Sequence, residues 1–388
     1  MAYSNSSKNR AASRGFGFKL LDRYLFQLLI PINIAALTLF TIIWIAPELL
    51  FKLTQYAFAG QVTTAQAATM LLFHVPEVLQ QTMPVAVLLG SIFLFQRLSK
   101  DYEWVSILAS GISTKRALSA VLLVGAIFAT LHGIVQEVIL PISAPRLDEM
   151  YHALNLKDRP DRNFLFVEKN HEKRLSKFFM IGRVEPSDLK DFVVLYYNDT
   201  PNEGVYITRI LRSHTGHWLS HVQQWQLDKG IEYVLTPEGV YKEIRAFDHQ
   251  QVRTDRYASL LLHYTRMNPM VLPFMELRQY IRLLKEGGQL QDVPYFEVRL
   301  WQKFSAPLAT LLFSVIGALL GIEHVRSNRL FGLTFGALIV FIYSISTPFA
   351  GSFGSLDLIA PWIVAFLPLT FSILVSWGLI KFRHSTTG

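Results

Sequence analysis

Three glutamates interrupt stretches of the chain that are otherwise almost wholly apolar: Glu48, Glu77 and Glu137. A charged side chain within a lipid bilayer costs on the order of 3 kcal/mol, which makes such residues candidates for a functional role. Each lies near the end of its apolar stretch or in a stretch broken by proline, where a carboxylate reaches interfacial water. Their spacing does not form a proton relay, so we interpret them as interfacial residues.

The chain lacks the motifs that carry the common catalytic chemistries. It has no Gly-x-x-x-x-Gly-Lys-Ser/Thr loop for nucleotide phosphates, no His-Glu-x-x-His zinc motif and no Gly-x-Ser-x-Gly nucleophile. The absence of cysteine excludes disulfides, thiolate metal sites and cysteine nucleophiles. Its histidine cluster, His214, His217 and His221, lies in a predicted β segment where such side chains are usually solvated. We therefore predict no catalytic residue, no metal site and no cofactor bound by this chain.

The segment from Gln96 to Ser113 combines charges with apolar residues at helical spacing, which predicts a short helix along a membrane surface. Its apolar stripe is Leu98, Val105 and Leu108, and the charged residues that face water or a partner are Lys100, Asp101 and Glu103. Gly111 is predicted to end this helix, and Ser113 or Thr114 to cap the next one. A docking helix and an interfacial helix without a partner both fit this pattern.

The elements that position these residues are predicted to be membrane spans. Of the 388 residues, 51% are apolar and only 17% are charged, against roughly 25% in an average soluble domain. A helix needs about 20 apolar residues to cross a bilayer, and three such runs precede a long polar segment while three follow it. The predicted spans are Tyr24–Phe51, Ala67–Phe95, Ala117–Leu140, Phe304–Ile322, Leu330–Leu356 and Leu358–Ile380, with a turn at Gly60–Thr64 before the second.

The net charge of +8 arises from Lys and Arg that concentrate in alternate short connections between the spans. Because basic loops stay on the cytoplasmic side, both termini are predicted to be cytoplasmic and the long insert to lie outside. This distribution accounts for the basic excess without a nucleic-acid partner. The basic residues that decide the orientation include Lys8, Arg10, Arg14, Arg97, Lys100, Lys115, Arg116, Arg326, Arg329, Lys381 and Arg383.

The insert is predicted to be an all-β domain, because short runs of aromatic and branched residues alternate with turn residues. The predicted strands are Asn163–Glu168, Ser176–Gly182, Asp191–Tyr197, Gly204–Arg212, Gly216–Leu227, Ile231–Leu235 and Gly239–Phe247. An amphipathic helix from Pro273 to Gly287 follows, either at the outer membrane surface or under the β domain. The predicted fold is an α-helical membrane protein with six transmembrane helices (3+3) and an inserted periplasmic all-β jelly-roll-like domain, divided as 1–145, 146–273 and 274–388.

Several short motifs follow one another along nearly the whole chain. Leu21-Asp-Arg-Tyr24 opens the first span, and the second contains Val75-Pro-Glu77, Met83-Pro84 and Leu88-Leu-Gly90. The segment Leu98…Glu103-Trp-Val…Ala109-Ser-Gly111-Ile-Ser113 follows, and later motifs are Glu276-Leu…Tyr280-Ile…Leu284…Gly287, Trp301-Gln-Lys303-Phe…Pro307-Leu308 and Pro361-Trp362…Ala365-Phe-Leu-Pro368. Together these motifs resemble the LptF/LptG (YjgP/YjgQ) permease family, and the second-to-third-span segment resembles its coupling segment.

This resemblance implies a permease subunit of an ATP-binding-cassette exporter that extracts lipopolysaccharide from the bacterial inner membrane and passes it to a periplasmic β-jelly-roll bridge. The chain would be a transport subunit and not an enzyme. The implied partners are an LptB-like cytoplasmic ATPase dimer that uses ATP and Mg, a second LptF/LptG-type permease, and LptC/LptA-like periplasmic β-jelly-roll proteins. The motifs distinguish neither LptF from LptG nor a homodimer from a heterodimer.

The resemblance also implies site residues. Glu103 would contact the ATPase, within a coupling set of Asp101, Tyr102, Glu103, Trp104, Leu108 and Gly111, although Trp104 stands where the family has a smaller aliphatic residue. Spans one and five would line a cavity between two permeases. The phosphates of the lipid would be held by Lys52, Arg299 and Lys303, for which membrane anchoring by snorkelling is the alternative.

Three other protein classes remain open on the residues alone. A MacB-like mechanotransmission permease also joins a large periplasmic insert to cytoplasmic ATPases, but it has four spans. An ATPase-independent lipid transporter would need no motor, and a structural anchor for envelope β domains would transport nothing. The small-residue pairs Gly317-x-x-x-Gly321 and Gly332-x-x-x-Gly336 predict close helix packing, either within the chain or between subunits.

Overall fold

The structure is a computed structural model that describes residues 20–154, 156, 164–169, 174–184, 189–200, 204–219, 224–253, 271–286, 290, 292–322, 331–354 and 359–386. The predicted basic tail before residue 20, His221, and the loop residues Arg326 and Arg329 lie outside these ranges. Within the helix that contains Glu48, the side chain of Glu48 is likewise not described.

The first half of the chain forms long helices joined by shorter ones. The helices are α1 (Leu20–Ile45), α2 (Phe51–Phe58), α3 (Thr64–Lys100), α4 (Glu103–Ala109), α5 (Thr114–Ile134) and α6 (Leu140–Ala153). Two π-helical turns, Ala46–Leu50 and Val135–Ile139, join α1 to α2 and α5 to α6. These turns contain Glu48 and Glu137, so two of the three glutamates flagged in the sequence lie where the regular helix is interrupted. Through α6 the third span continues as helix beyond the predicted boundary at residue 145.

The turn predicted at Gly60–Thr64 is present and starts α3. Gly60 has a left-handed backbone, with φ of +69°. The backbone N–H of Thr63 donates to Gln66 Oε1 at 2.8 Å, and the backbone N–H of Gln66 donates to Thr63 Oγ1 at 3.3 Å. This reciprocal capping box satisfies two amide groups that a helix start otherwise leaves without partners.

The second half adds α7 (Phe274–Glu286), α8 (Val293–Gly321), α9 (Phe331–Gly354) and α10 (Pro361–Thr386). Among the described residues, six helices are long and apolar enough to cross a membrane, which confirms the three-plus-three arrangement. They are Leu20–Ile45, Thr64–Lys100, Thr114–Tyr151, Val293–Gly321, Gly332–Phe353 and Pro361–Gly378.

The central helix of the bundle is α3, which packs against α1, α8 and α9. A side chain at Gly317 of α8 would place its Cβ 2.3 Å from the carbonyl oxygen of Leu88. At Gly321 the corresponding distance to the carbonyl oxygen of Ile92 would be 2.6 Å. The Gly317-x-x-x-Gly321 pair therefore serves packing within the chain, because only glycine permits this approach of α8 to α3.

The insert forms a six-stranded antiparallel sheet, as predicted for an all-β domain. The strands β1 (Phe164–Lys169), β2 (Leu175–Val184), β3 (Leu189–Thr200), β4 (Gly204–Leu219), β5 (Gln224–Leu235) and β6 (Tyr241–Arg253) each pair with the next in the chain. The predicted break between Gly204–Arg212 and Gly216–Leu227 is absent, because β4 continues through His214 and Thr215 to Leu219. His214 and Thr215 are polar residues within a hydrogen-bonded strand, and in sequence they resemble a turn. This resemblance explains why a break was predicted there.

The sheet bends across its middle and folds over on itself. Asp191 of β3 and Lys229 of β5 have left-handed backbones, with φ of 53° and 52°. In β4 the buried positions shift from Leu211 and Ser213 to Gly216, which a regular alternating strand does not allow. At one end, Lys177 Nζ on β2 donates to the carbonyl oxygen of Arg253 on β6 at 2.8 Å, although these strands are not neighbours in the sheet.

The buried face of the sheet packs on α7. Phe166, Phe179, Phe192 and Trp225 form a chain of aromatic contacts with ring centroids 6.1, 6.3 and 6.0 Å apart. The buried residues of α7 belong to the same core: Leu277, Tyr280, Ile281, Leu283 and Leu284. The ring of Tyr280 also contacts Phe296 of α8 at 5.0 Å. Of the two predicted positions for this helix, the structure shows the one under the β domain, where it connects the sheet to α8.

Candidate coupling and lipid-contact sites

The segment after α3 turns sharply to present α4. Arg97 pairs with Asp101 at 3.6 Å as α3 ends, and Tyr102 then adopts a left-handed backbone with φ of 60°. Gly111 follows α4 with φ of +82°, and Ser113 Oγ accepts a hydrogen bond from the backbone N–H of Arg116 at the start of α5. The helix is shorter than predicted, because Gln96 to Lys100 belong to α3. The predicted helix end at Gly111 and the cap at Ser113 are confirmed.

Trp104 fixes α4 to the helical bundle. Its side chain is only 4% exposed and meets the ring of Phe95 edge-on at 5.5 Å. The surrounding core contains residues of α1, α3 and α5: Leu25, Leu29, Leu94, Leu98, Ala117 and Val121. The bulky residue at this position therefore acts as an anchor, and it does not contribute to the exposed surface of α4.

The opposite side of α4 is open. Tyr102, Val105 and Leu108 are 58%, 47% and 39% exposed. Of the predicted apolar stripe, Leu98 is buried, whereas Val105 and Leu108 face outward. The residues available to a partner are thus an aromatic ring and two aliphatic side chains, with Asp101 and Glu103 beside them.

Glu103 is held by the first span. The hydroxyl of Tyr24 on α1 donates a hydrogen bond to Glu103 Oε2. Close by in sequence, Asp22 accepts two hydrogen bonds from Arg116 of α5, at 2.7 Å from Nη1 and 2.5 Å from Nη2. A bidentate guanidinium–carboxylate pair is among the strongest and most directional polar contacts in proteins. The starts of α1, α4 and α5 are thereby joined.

At the other end of the bundle, which carries the β domain, a second ion pair joins helices that are distant in sequence. Lys303 Nζ on α8 donates to Glu137 Oε1 at 2.6 Å, and Glu137 Oε2 accepts the backbone N–H of Phe274 at 2.7 Å. The Lys303 side chain is 9% exposed and the Glu137 side chain 34%. Glu137 is therefore more than an interfacial residue, since it neutralises Lys303 and also caps α7.

Arg299 lies one helical turn before Lys303 and is held by neutral groups in the described part of the chain. Its Nη1 donates to Gln302 Oε1 at 3.1 Å and its Nη2 to the hydroxyl of Tyr295 at 3.2 Å. Within the described residues no carboxylate lies within ion-pairing distance of its guanidinium. Lys52 lies half-buried on α2, a different helix. Of the predicted lipid-contact residues, Lys303 is neutralised by Glu137, whereas Arg299 has no carboxylate partner among the described residues.

His214 and His217, the described members of the predicted histidine cluster, lie on strand β4 of the β domain. His217 Nε2 and His249 Nδ1 approach Asp228 at 3.2 and 2.6 Å, and His214 approaches Asp191 at 3.6 Å. Partial burial alone would raise the pKa of Asp228, but hydrogen bonds from Gln226 and His249 and the nearby histidine charges lower it below its ordinary value. Across the described ranges, no group of three or more histidine, aspartate or glutamate side chains is arranged to hold a metal ion.

The family model for the lipopolysaccharide export system permease LptF/LptG matches residues 23–381. This chain belongs to that family. None of the curated proteins compared with the chain matches it. Family membership makes the chain a permease of lipopolysaccharide export, a transport subunit with several membrane-spanning helices and an inserted β domain.

Sequence reasoning missed the contacts that hold the α4 segment in place. Asp22 and Tyr24 belong to the Leu21-Asp-Arg-Tyr24 motif, but nothing in the motif indicates that they meet Arg116 and Glu103. The only available signal was the presence of a charged and a hydroxyl side chain at the start of an otherwise apolar span. The pairing of Glu137 with Lys303 was not predicted either, because 166 positions separate the two residues in the chain.

Proposed function

We propose that this chain is one permease subunit of an ATP-binding-cassette exporter that extracts lipopolysaccharide from the bacterial inner membrane. A separate cytoplasmic ATPase dimer, resembling LptB and using ATP and Mg, supplies the energy. In this proposal both termini and α4 face the cytoplasm, and the β domain lies in the periplasm. The chain binds no nucleotide itself.

The observation that carries the proposal is the construction of α4. A helix of seven residues has little stability alone, yet this one is held firmly by Trp104 and by the Tyr24–Glu103 contact. Its outward side exposes Tyr102, Val105 and Leu108. A rigid helix with an exposed aromatic and aliphatic face suits docking by a partner protein, since aromatic anchors supply much of the binding energy in interfaces.

An external energy source is required because the cargo is a lipid with several acyl chains. Each buried CH₂ contributes about 0.8 kcal/mol, so removing one whole lipid from the bilayer exceeds thermal fluctuation by far. The chain has no phosphate-binding loop of its own. We therefore assign ATP hydrolysis to the partner that docks on α4.

A second permease completes the transport path. Apolar residues of α1 and α9 lie exposed along their length, including Leu39, Ile42, Phe341 and Phe349. In the described residues α1 packs chiefly on α3 and α5, and α9 on α3, α8 and α10. These two spans would line a cavity between this chain and a second LptF/LptG-type permease, in a homodimer or a heterodimer.

Arg299 is the residue that we assign to the lipid phosphates. It lies near the β-domain end of α8, its partners in the described residues are neutral, and guanidinium groups bind phosphate oxygens well. From there the acyl chains would move into the β domain and onward to LptC/LptA-like periplasmic proteins of the bridge. Lys303 has a structural role in this scheme, because Glu137 already neutralises it.

The test is purification of the full chain from its native membranes, followed by reconstitution with whatever ATPase and second permease copurify. Proteoliposomes that contain lipopolysaccharide should transfer it to a soluble LptA-like acceptor only with ATP and Mg. The Arg299→Gln variant should transfer it more slowly, while Arg278→Gln, which alters an arginine of α7, serves as control. Transfer without ATP, or by the chain alone, would favour the ATPase-independent transporter. Six candidate spans already disfavour the four-span MacB-like alternative.

A further inference from the structure

Helix α1 is buried along one side only. Its buried residues form a single line: Asp22, Leu25, Leu29, Asn33 and Thr41. Near its start, the polar side chains of Asp22 and Tyr24 also reach other helices. Polar contacts to α4 and α5 are thus added to the apolar packing that positions this end of α1.

Those contacts tie α1 to the helix on which the ATPase is proposed to dock. Tyr24 donates to Glu103 Oε2, and in the part of the chain that the structure describes, Oε1 of the same carboxylate accepts no hydrogen bond. Glu103 can consequently hold Tyr24 with one oxygen while the other remains available to a partner. A carboxylate accepts several hydrogen bonds at once, so the two roles are compatible.

The remaining contacts make this end move as one body. Trp104 of α4 shares a buried core with Leu25 and Leu29 of α1 and with Ala117 of α5. The Asp22–Arg116 pair adds a second polar connection between α1 and α5. Because closely packed groups do not deform continuously, a displacement of α4 must carry the start of α1 with it or break the Tyr24–Glu103 contact.

We propose that Tyr24 is a positioning residue for export: through its hydroxyl group and Glu103, it transmits the movement of α4 to α1, with the Asp22–Arg116 pair as the second connection. This inference rests on the proposed function and deepens it. The Tyr24 ring is itself exposed, so its hydroxyl contact, and not burial of the ring, carries the effect. Loss of that one oxygen should uncouple ATP hydrolysis from lipid movement and leave the fold intact.

The experiment measures ATP hydrolysis and lipopolysaccharide transfer together, in proteoliposomes that contain the full complex. In Tyr24→Phe, the ATPase should copurify as in the wild type and the thermal unfolding midpoint should stay the same. The amount of lipid transferred per ATP should fall about tenfold, which corresponds to about 1.4 kcal/mol. Tyr241→Phe is the matched control, because it removes a hydroxyl from an exposed tyrosine of the β domain and should change nothing.

A second variant tests the ion pair. Asp22→Asn should also lower the lipid transferred per ATP, and the exchanged pair Asp22→Arg/Arg116→Asp should restore it in part. If the amount of lipid transferred per ATP were unchanged in both Tyr24→Phe and Asp22→Asn, the inference would be overturned. A parallel fall of ATPase rate, transfer and unfolding midpoint would also overturn it, because it indicates a purely structural role. If the wild-type complex itself shows no ATP-driven transfer, the proposed function fails instead, and the two failures are distinguishable.

Discussion

The two ends of the helical bundle are each joined by an ion pair between distant helices, but the surroundings of the pairs differ. At the α4 end, Arg116 and Asp22 form a bidentate pair next to a helix with an open outer side. At the β-domain end the cation is the enclosed partner, since the side chain of Lys303 is 9% exposed and that of Arg116 35%. The carboxylate partner of Lys303, Glu137, also caps α7, on which the sheet packs.

This difference suggests different tasks for the two ends. Separation of an ion pair leaves an enclosed charge without compensation, which is costly. Such a pair therefore holds its two helices firmly together. A pair with a partly exposed cation is weaker, because water can solvate that cation when its anion is lost. We infer that the β domain is attached firmly through α7 and α8, whereas the α4 end is arranged to receive and transmit a displacement.

The largest effect is expected at Trp104, the anchor of the α4 end. Trp104→Ala should destabilise the protein by about 4 kcal/mol, because it leaves a cavity in the core shared by α1, α3 and α5. Equilibrium unfolding in mixed micelles measures this change. Trp377→Ala is the control, since that ring on α10 is mostly exposed and its loss should cost much less. Equal effects of the two substitutions would refute the anchoring role of Trp104.

The second effect separates the two ion pairs. Glu137→Gln should cost about 3 kcal/mol, because Lys303, whose side chain is 9% exposed, is left without its anion. The double variant Lys303→Met/Glu137→Gln should recover much of that loss. Asp22→Asn at the other end should cost only about 1 kcal/mol, since the Arg116 side chain that is left is 35% exposed. If Asp22→Asn proved as costly as Glu137→Gln in unfolding experiments, the proposed difference between the ends would be lost.

A smaller effect is expected at the glycine that ends the α4 turn. Gly111→Ala places a Cβ where no atom lies within 4 Å, so its cost comes only from the φ of +82°, at about 1 kcal/mol. Gly378→Ala is the control, because Gly378 also has open space but lies within helix α10. That substitution should be neutral or slightly stabilising in the same unfolding experiment. A neutral Gly111→Ala would show that the turn tolerates another conformation.

The smallest effect concerns the network around Asp228, which lies outside the bundle. Its pKa is lowered in the folded state, so its contribution to stability is present above about pH 4 and is lost as the pH falls through the lowered value. Asp228→Asn should therefore weaken protection of β5 amides at pH 6 by about 0.5 kcal/mol, and the difference should shrink at more acidic pH. Hydrogen exchange measures it. A difference that grew as the pH fell below about 4 would contradict this sign.

The overall fold was predictable from the sequence because its signals are local. Long apolar runs must cross the bilayer, and alternating short strands must form a sheet, so the six spans and the β insert followed directly. The end of α4 at Gly111 and the cap at Ser113 were predictable for the same reason. The boundary between α3 and α4 was not, because the left-handed turn at Tyr102 uses no glycine.

The sites were predictable only in part, since their contacts join residues far apart in the chain. Lys303 is a residue type that binds phosphate, so the sequence predicted a lipid contact. Its partner Glu137 lies on another span, and no sequence signal indicated this pairing. Trp104 was predicted to be a docking residue, but its side chain is buried in the core between the helices. The roles of the coupling residues toward an ATPase remain predictions from family resemblance, with Glu103 the most important.

The measurement that tests the account most directly is ATP-driven lipopolysaccharide transfer by the reconstituted complex with Glu103→Ala. We predict that this variant still folds, as judged by an unchanged unfolding midpoint. Transfer to the periplasmic acceptor should be abolished, whether or not the ATPase still docks on the variant. Glu103→Gln keeps an acceptor for Tyr24 and should retain part of the transfer. Transfer at the wild-type rate by Glu103→Ala would contradict the claim that export is driven through α4.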